Sequence, residues 1–445
     1  MLSSGMLALI EKRLRDWQGN NRPFGGVAII LLGDFFQIPT VGGGSLFFGF
    51  ASRPVVSSPT LEAVHVVGDL PDEARGIELF RAFSTVHFTR QQRANDANDK
   101  SHLDMLLAFR NPAKALAPVA NSGLFRVPVL SAADVDRDPL WHDAVFVTSS
   151  NMCRRAINQQ YLLRFATRTG VPIIAWRHRL SKQTLQYLEG IAAKQQRSVS
   201  DVIQWYYPNE LIFYFAHGAP AVITTNVATD KRLCNGTDCK LYSVRPAPED
   251  VDSLNSELAT ASPGQLIWLS HPPESVNVEM PERDGSGEPL DWASFGLVSS
   301  LVPGKTVIPL LQNTSENNFI VPLHRIKGTK KTPFLRYYDH SVELAFSLTF
   351  HKVQGKTIPR VVLDLRGKGN LISVASLYVG VSRSPLLPFA AFQSQRLHQG
   401  SFDKTRVQRP PCCLVLGDHW CPKANSQTKC TKTQPSSRSS GQDCK

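Results

Sequence analysis

The sequence has no apolar run near the roughly 18 residues that a membrane-crossing helix needs, and its first segment, MLSSGMLALIEKRLRDWQ, is amphipathic where an export signal would be continuously apolar. These two absences exclude an α-helical membrane span and a secretory signal of the usual kind, and a soluble intracellular protein is expected. Cysteine is sparse: there are eight in 445 residues, and only Cys153, Cys234 and Cys239 lie in the body of the chain. That density excludes a disulfide-stapled scaffold and predicts reduced, buried thiols. No internal repeat is visible. Also missing is G-x-x-x-x-G-K-[ST], the loop whose amides and lysine cradle nucleotide phosphates. Gly304-Lys305-Thr306 and Gly355-Lys356-Thr357 imitate its end, but Ser299 and Phe350 stand where its first glycine belongs. Acidic residues are the scarcer charge, 37 against 49 basic, which leaves +12 and favours a polyanionic partner such as nucleic acid. Residues 396–445 hold nine Lys and Arg against three Asp, half of that excess, so a basic tail is the competing source.

What remains is a globular composition, 42% hydrophobic and 19% charged, with enough length for two or three domains. Val27 to Leu32 (VAIILL) is a short β-branched apolar run and predicts a central parallel strand covered on both faces. AVFVT (144–148) followed by SNMCRRAINQQYLLRFA predicts a strand and then an amphipathic helix, and VVLD (361–364) a further strand. This alternation implies α/β layers. Between about 245 and 340, LIWLS, VNVEM, TVIPLL and NFIVPLHRI are separated by Pro, Gly and Asn, which predicts a small all-β insertion. The segment from 396 on is dominated by Ser, Thr, Lys, Gln and Pro and is expected to be disordered. A zinc site built from Cys412, Cys413, His419, Cys421 and Cys430 is a remote alternative, because the spacing lacks paired C-x-x-C knuckles.

Three stretches carry chemistry. In PFGGVAIILLGDFFQIPTV (23–41), Gly33, Asp34 and Gln37 follow the predicted strand, where an open α/β sheet meets its ligand. A glutamine there can donate and accept at once, so it can position a water or phosphate oxygens; the plainer alternative is a solvated strand end. In FTRQQRANDANDKSHLDMLLAFR (88–110), Arg93 has the fixed charge and planar fork suited to phosphoryl oxygens, or it is a surface arginine at a helix start. In LTFHKVQGKTIPRVVLD (348–364), a polar turn with Thr349, His351, Lys352, Gln354 and Gly355 precedes an apolar strand and suits contacts to a single-stranded backbone.

The wording of these stretches resembles Pif-type superfamily 1 DNA helicases. GDFFQIPTV resembles that family's G-D-F-x-Q-[IL]-P-x-V, and TFHKVQGKT its T-x-H-K-x-Q-G-x-T almost letter for letter. LYVGVSR (377–383) resembles Y-V-A-x-S-R, with Gly380 where alanine is usual, a departure expected to loosen the helix. FTRQQRAND followed by MLLAFR resembles L-T-x-x-x-R-x-x-D and L-L-x-x-x-R, with Phe88 and Met105 as apolar departures. FVTSSNMCRRAIN (146–158) resembles the motif that touches the DNA backbone, through Thr148 and Asn151, and GAPAVITTNVATDKRLCNGTDCKLYSV (218–244) the stretch ending in Asn-Gly-Thr.

The resemblance implies an ATP-dependent 5′-to-3′ helicase, or a catalytically inactive single-strand-binding fragment, or part of a mobile-element replication helicase. It implies an α/β fold with two RecA-like motor lobes, the first incomplete (1–125), the second from 126–244 and 341–395, with the β insertion at 245–340. Gln37, Arg93 and the second finger Arg383 would be catalytic; Gly33, Asp34 and Gly355 would join them at the nucleotide; Thr148, Asn151, Thr349, His351, Lys352 and Gln354 would hold DNA. ATP and Mg²⁺ are the implied cofactors, and no residue is assigned to the metal. The opening MLSSGML resembles the stretch just past the family's Mg²⁺-binding acids, so the chain is expected to begin after them. Single-stranded and forked DNA are the expected partners, no membrane is, and a monomer is the expected state. Genome maintenance (repair, recombination, telomeres) in the nucleus, or in the mitochondrion, is the implied role.

Overall fold

The computed structural model describes residues 2–40, 44–46, 72–88, 100–110, 129–206, 211–283, 287–297, 302–314, 317–320, 334–365, 372–384 and 390–393. The 396–445 tail, its cysteines and Arg93 lie outside the described residues.

Helix α1 (Ser4–Gln18) starts where Ser3 accepts a hydrogen bond from the Met6 amide, and stops at Gly19 in the left-handed region. It packs on α2 (Asp72–Arg81) so closely that a Cβ on Gly76 would lie 1.8 Å from the Ser4 carbonyl oxygen. Leu7 and Leu79 are buried between them with Phe24 and Leu46. The VAIILL run does not become a central strand. Ile29 and Leu31 pack against this cluster, while Ile30 and Leu32 are 84% and 80% exposed, and no strand among the described residues pairs with the run. A continuous apolar run is covered on both faces only when neighbouring strands supply the second cover. Here helices cover one face, and on the other Ile30 and Leu32 stay exposed with no strand among the described residues beside them.

The chain then builds a parallel sheet of five strands. Its order is β1 (Val129–Leu130), β16 (Ala390–Gln393), β15 (Val361–Asp364), β2 (Val145–Thr148) and β14 (Ser347–Thr349). After the α3 helix (Lys100–Arg110) and the short α4 (Ala132–Arg137), strand β2 leads into α5 (Asn151–Thr169), as its sequence predicts. Ser150 caps α5 by accepting from the Cys153 amide, and Gly170 ends it in the left-handed region. The apolar face of α5 (Ile157, Tyr161, Leu162, Ala166) joins Phe146 of β2 in the main core.

An antiparallel sheet follows with β10 (Val307–Leu311), β9 (Ser275–Glu279), β7 (Asp238–Arg245), β6 (Pro220–Ile223) and β13 (Val342–Leu344) in that order. Two three-stranded sheets complete the described strands: β11 (Asn317–Ile320), β12 (Phe334–Tyr338) and β4 (Arg179–Leu180), then β5 (Ile212–Phe215), β3 (Ile173–Arg177) and β8 (Leu266–Trp268). Helices α6 (Lys182–Gln195) and α7 (Val199–Tyr206) pack through Leu188, Ala192 and Val202 onto Leu335 of β12.

The 245–340 segment is therefore not a self-contained all-β insertion. Its strands pair with β3, β4 and β7, which precede it or run into its start, and it includes a helix, α8 (Val251–Thr260). Val251, Leu254 and Leu258 recur at helical spacing, a signal hidden among polar residues, and Leu254 is buried. Short strands of three to five residues cannot cover a face alone, so they complete sheets begun earlier in the chain. Among the described residues no helix is long and apolar enough to cross a membrane.

Candidate functional site

The register of the parallel sheet assembles the first part of the site. Thr349 of β14 and Asp364 of β15 both lie opposite Thr148 of β2, so three polar residues stand together where those strands end. Thr148 and Asp364 are buried and Thr349 is half-buried. In a parallel α/β sheet this is the edge at which ligands bind. Helix α9 (Phe350–Val353) starts here, anchored by buried Phe350 and Val353, which leaves His351 exposed and Lys352 and Gln354 half-exposed. Gly355 has φ +88°, a conformation that a side chain would strain.

Asn151, exposed at the start of α5, is tied to this turn through two residues that the motif reading did not single out. Arg154, only 4% exposed, donates from Nε to Asn151 Oδ1 (3.2 Å) and from Nη1 and Nη2 to the Glu343 carboxylate (2.6 and 3.2 Å). Lys352 Nζ donates to the same carboxylate at 3.2 Å. Burial alone would push the Glu343 carboxyl up, but the two cations outweigh it and hold it at about 2. One turn further along α5, Asn158 clamps the backbone between β13 and β14. Its Nδ2 donates to the Leu344 and Ser347 carbonyls (2.9 and 3.3 Å), and its Oδ1 accepts from the Ser347 amide (2.7 Å).

The second part of the site joins distant stretches. Asp34 lies in a tight turn, its Oδ1 accepting from the Phe36 amide (3.0 Å) and its carbonyl from the Gln37 amide (3.1 Å). Its Oδ2 accepts from the Tyr378 hydroxyl at 2.9 Å, across 344 positions of sequence. Gly33 is exposed and Gln37 half-buried. Ile38, Met105, Leu106 and Tyr378 share one buried cluster, so the apolar departure at Met105 keeps its packing role. Gly380, on the same helix as Tyr378, α10 (Val374–Val381), fits a space that alanine would not: a Cβ there would meet Leu363 Cδ2 at 2.7 Å and Phe350 Cε1 at 2.9 Å. The glycine is therefore a close-packing residue.

Arg383 does not project into open space. It is 2% exposed and donates to the Val379 carbonyl (3.0 Å), the Lys356 carbonyl (3.4 Å) and Ser382 Oγ (2.7 Å). Its carbonyl accepts from the Ile358 amide at 3.0 Å, which bolts the Tyr378–Arg383 stretch to the turn after Gly355. Both Gly-Lys-Thr imitations have structural employment. Lys356 Nζ donates to the Gly236 carbonyl (2.7 Å) and Asp238 (2.5 Å), and Lys305 pairs with Glu279 at 3.0 Å. Gly236, φ +98°, gives the Asn235-Gly236 turn. Cys153, Cys234 and Cys239 are free thiols, and burial pushes that of Cys239 up to about 12.

No family model matches the chain. Over 42 residues it is 43% identical to an ATP-dependent DNA helicase Pif1 of Psychrobacter sp. (strain PRwf-1). That stretch is 9% of this chain and spans only 6% of the length of that relative. Among solved structures the chain is similar to a Pif1 helicase from Candida albicans (15% identity, TM-score 0.44, 89% of this chain and 71% of that one). A Pif1 helicase from Bacteroides, in complex with ADP-AlF3 and ssDNA, gives 16% identity, a TM-score of 0.45 and 89% and 69% coverage.

Proposed function

We propose that this chain is the single-strand-gripping part of a Pif-type DNA helicase, an enzyme that moves 5′ to 3′ along DNA and separates forked duplex at the expense of ATP. The observation that carries the reading is the strand-end cluster: Thr148 and Thr349 in register, with Asn151 and Lys352 beside them on one hydrogen-bonded frame. Hydroxyls, an amide and an ammonium at the end of a parallel sheet suit phosphate and sugar oxygens, and the chain's excess positive charge would draw the strand in. The Asp34–Tyr378 bond supports the nucleotide-facing half of the reading, because it joins two motifs that the family resemblance assigns to one cleft.

Tested against ATP and Mg²⁺, the described residues do not fit unaided. The sequence has no phosphate loop, the guanidinium of Arg383 is engaged within its own helix and loop, and no group of three or more acidic, His or Cys side chains able to hold a metal occurs among the described residues. Turnover therefore calls for a phosphate loop from outside these 445 residues. The same facts favour a second reading, a single-strand-binding protein without ATPase activity. Roles in repair, recombination or telomere maintenance, or in mobile-element replication, extend the first reading, as does residence in the nucleus or mitochondrion.

Fluorescence anisotropy with labelled oligo-dT tests the grip. Binding should weaken steeply with salt, about 0.7 in log K per log salt for each phosphate neutralised on a single strand. No binding, or binding indifferent to salt, would reject the proposal. Strand-stimulated ATP turnover by the purified chain would reject the second reading, and with it the need for a phosphate loop from outside the chain.

A further inference from the structure

We infer that Arg154 and Glu343 are a positioning pair that sets Asn151 and Lys352 for contact with a single-stranded nucleic-acid backbone. The inference rests on the nucleic-acid reading above and deepens it.

An arginine on the buried face of α5, 4% exposed beside Ile157 and Asn158, is costly to desolvate unless its donors are matched. Three of its N–H directions are matched, and they point to only two partners. Nη1 and Nη2 grip both Glu343 oxygens, and Nε holds the amide oxygen of Asn151. Accepting through Oδ1 turns the Asn151 Nδ2 donors away from Arg154. Glu343 shares Oε2 between Arg154 and Lys352, so the ammonium is fixed to the same fork. The frame is stiff because Asn158 clamps the Leu344 and Ser347 backbone to α5 one turn beyond Arg154. Each end of the network emerges at a residue with access to solvent: Asn151 is exposed, and the Lys352 side chain is 28% exposed.

Stability alone is a poor reason for such a pair. The Arg154 side chain is buried and that of Glu343 is 33% exposed, so solvent screens the pair, and apolar side chains of similar volume replace such a pair at little or no loss of stability. They could not, however, orient an amide and an ammonium at opposite ends of one frame. Arg154→Met/Glu343→Leu therefore separates the two roles, and it leaves the net charge of the chain unchanged. Any change in affinity then cannot come from the overall field.

The measurement is anisotropy of fluorescein-labelled oligo-dT with the full 445-residue chain, between roughly 50 and 200 mM salt, alongside urea unfolding. The double variant should fold as stably as the parent and bind oligo-dT about tenfold more weakly, in line with one or two charge-assisted hydrogen bonds. Its salt slope should fall by about 0.7, as for Lys352→Ala. Adding Lys352→Ala to it should then cost much less than in the parent, because the pair acts through that lysine. Arg154→Lys keeps the charge but loses the planar fork, and it should give an intermediate loss whether or not the double variant folds. Parental affinity in the double variant, or a Lys352→Ala effect that adds in full, would overturn the positioning role alone. Failure of the parent chain to bind oligo-dT would overturn the nucleic-acid reading and this inference with it.

Discussion

Gly380→Ala sets local preference directly against packing. Alanine exceeds glycine by about 1 kcal/mol in the interior of a helix, and the α10 backbone at this position needs no positive φ, so propensity alone predicts a more stable protein. The added methyl would, however, sit 2.7 and 3.3 Å from the two Leu363 methyls and 2.9 Å from Phe350 Cε1. Carbon atoms in contact prefer about 3.5–4.0 Å. Leu363 is fully buried and Phe350 is 2% exposed, so neither can swing into solvent. Overpacking of this kind costs about 1–3 kcal/mol, and the expected net result is a loss of about 1 kcal/mol. Urea unfolding followed by tryptophan fluorescence reads it, since Trp176 is buried in the main core. Adding Leu363→Ala should show favourable coupling of about 0.5–3 kcal/mol, because the methyl then occupies the vacated space. A net gain near 1 kcal/mol from Gly380→Ala would refute the packing account and leave propensity in charge.

Two further outcomes follow from burial. Ile30→Ser and Leu32→Ser should each change stability by less than about 0.5 kcal/mol, while Ile29→Ser and Leu31→Ser, whose side chains pack against the buried cluster that includes Leu7 and Leu79, should cost about 1–2 kcal/mol. Equal losses at all four positions would mean that both faces are covered. His178 is held at about 3, chiefly by burial and then by the charges of His340 and Arg155. Its folded pKa lies below the unfolded value near 6.5, so its penalty is absent above that pH and grows as pH falls toward 3. Stability should therefore drop between about pH 7 and 5, and His178→Phe should flatten that slope, leaving the part due to His340, which burial also lowers. An unchanged slope in the variant would remove His178 as the cause.

Legibility in the sequence followed the range of the interactions. The 145–148 and 361–364 strands could be read because they are short, continuously apolar runs buried along their length, and the 151–169 helix because its apolar face recurs at helical spacing between caps adjacent in sequence. The polar turn 349–355 could be read because its spacing brings His351, Lys352 and Gln354 together without help from other elements. VAIILL was misread because composition reports apolarity and not whether a neighbouring strand arrives to use it. The 245–340 segment was misread as a module because pairing with β3, β4 and β7 is set by partners up to about 160 residues away.

By itself, then, the sequence determined that an α/β protein with a basic surplus carries a polar turn at the end of a strand, since those follow from local pattern and charge. Tertiary structure alone decided that Asp34 meets Tyr378, that Gly380 makes room for Leu363, that Arg383 is turned inward, and that Arg154 and Glu343 link Asn151 to Lys352. These contacts join residues whose separation along the chain carries no trace of the pairing, and register and close packing bring them together only when the sheets form.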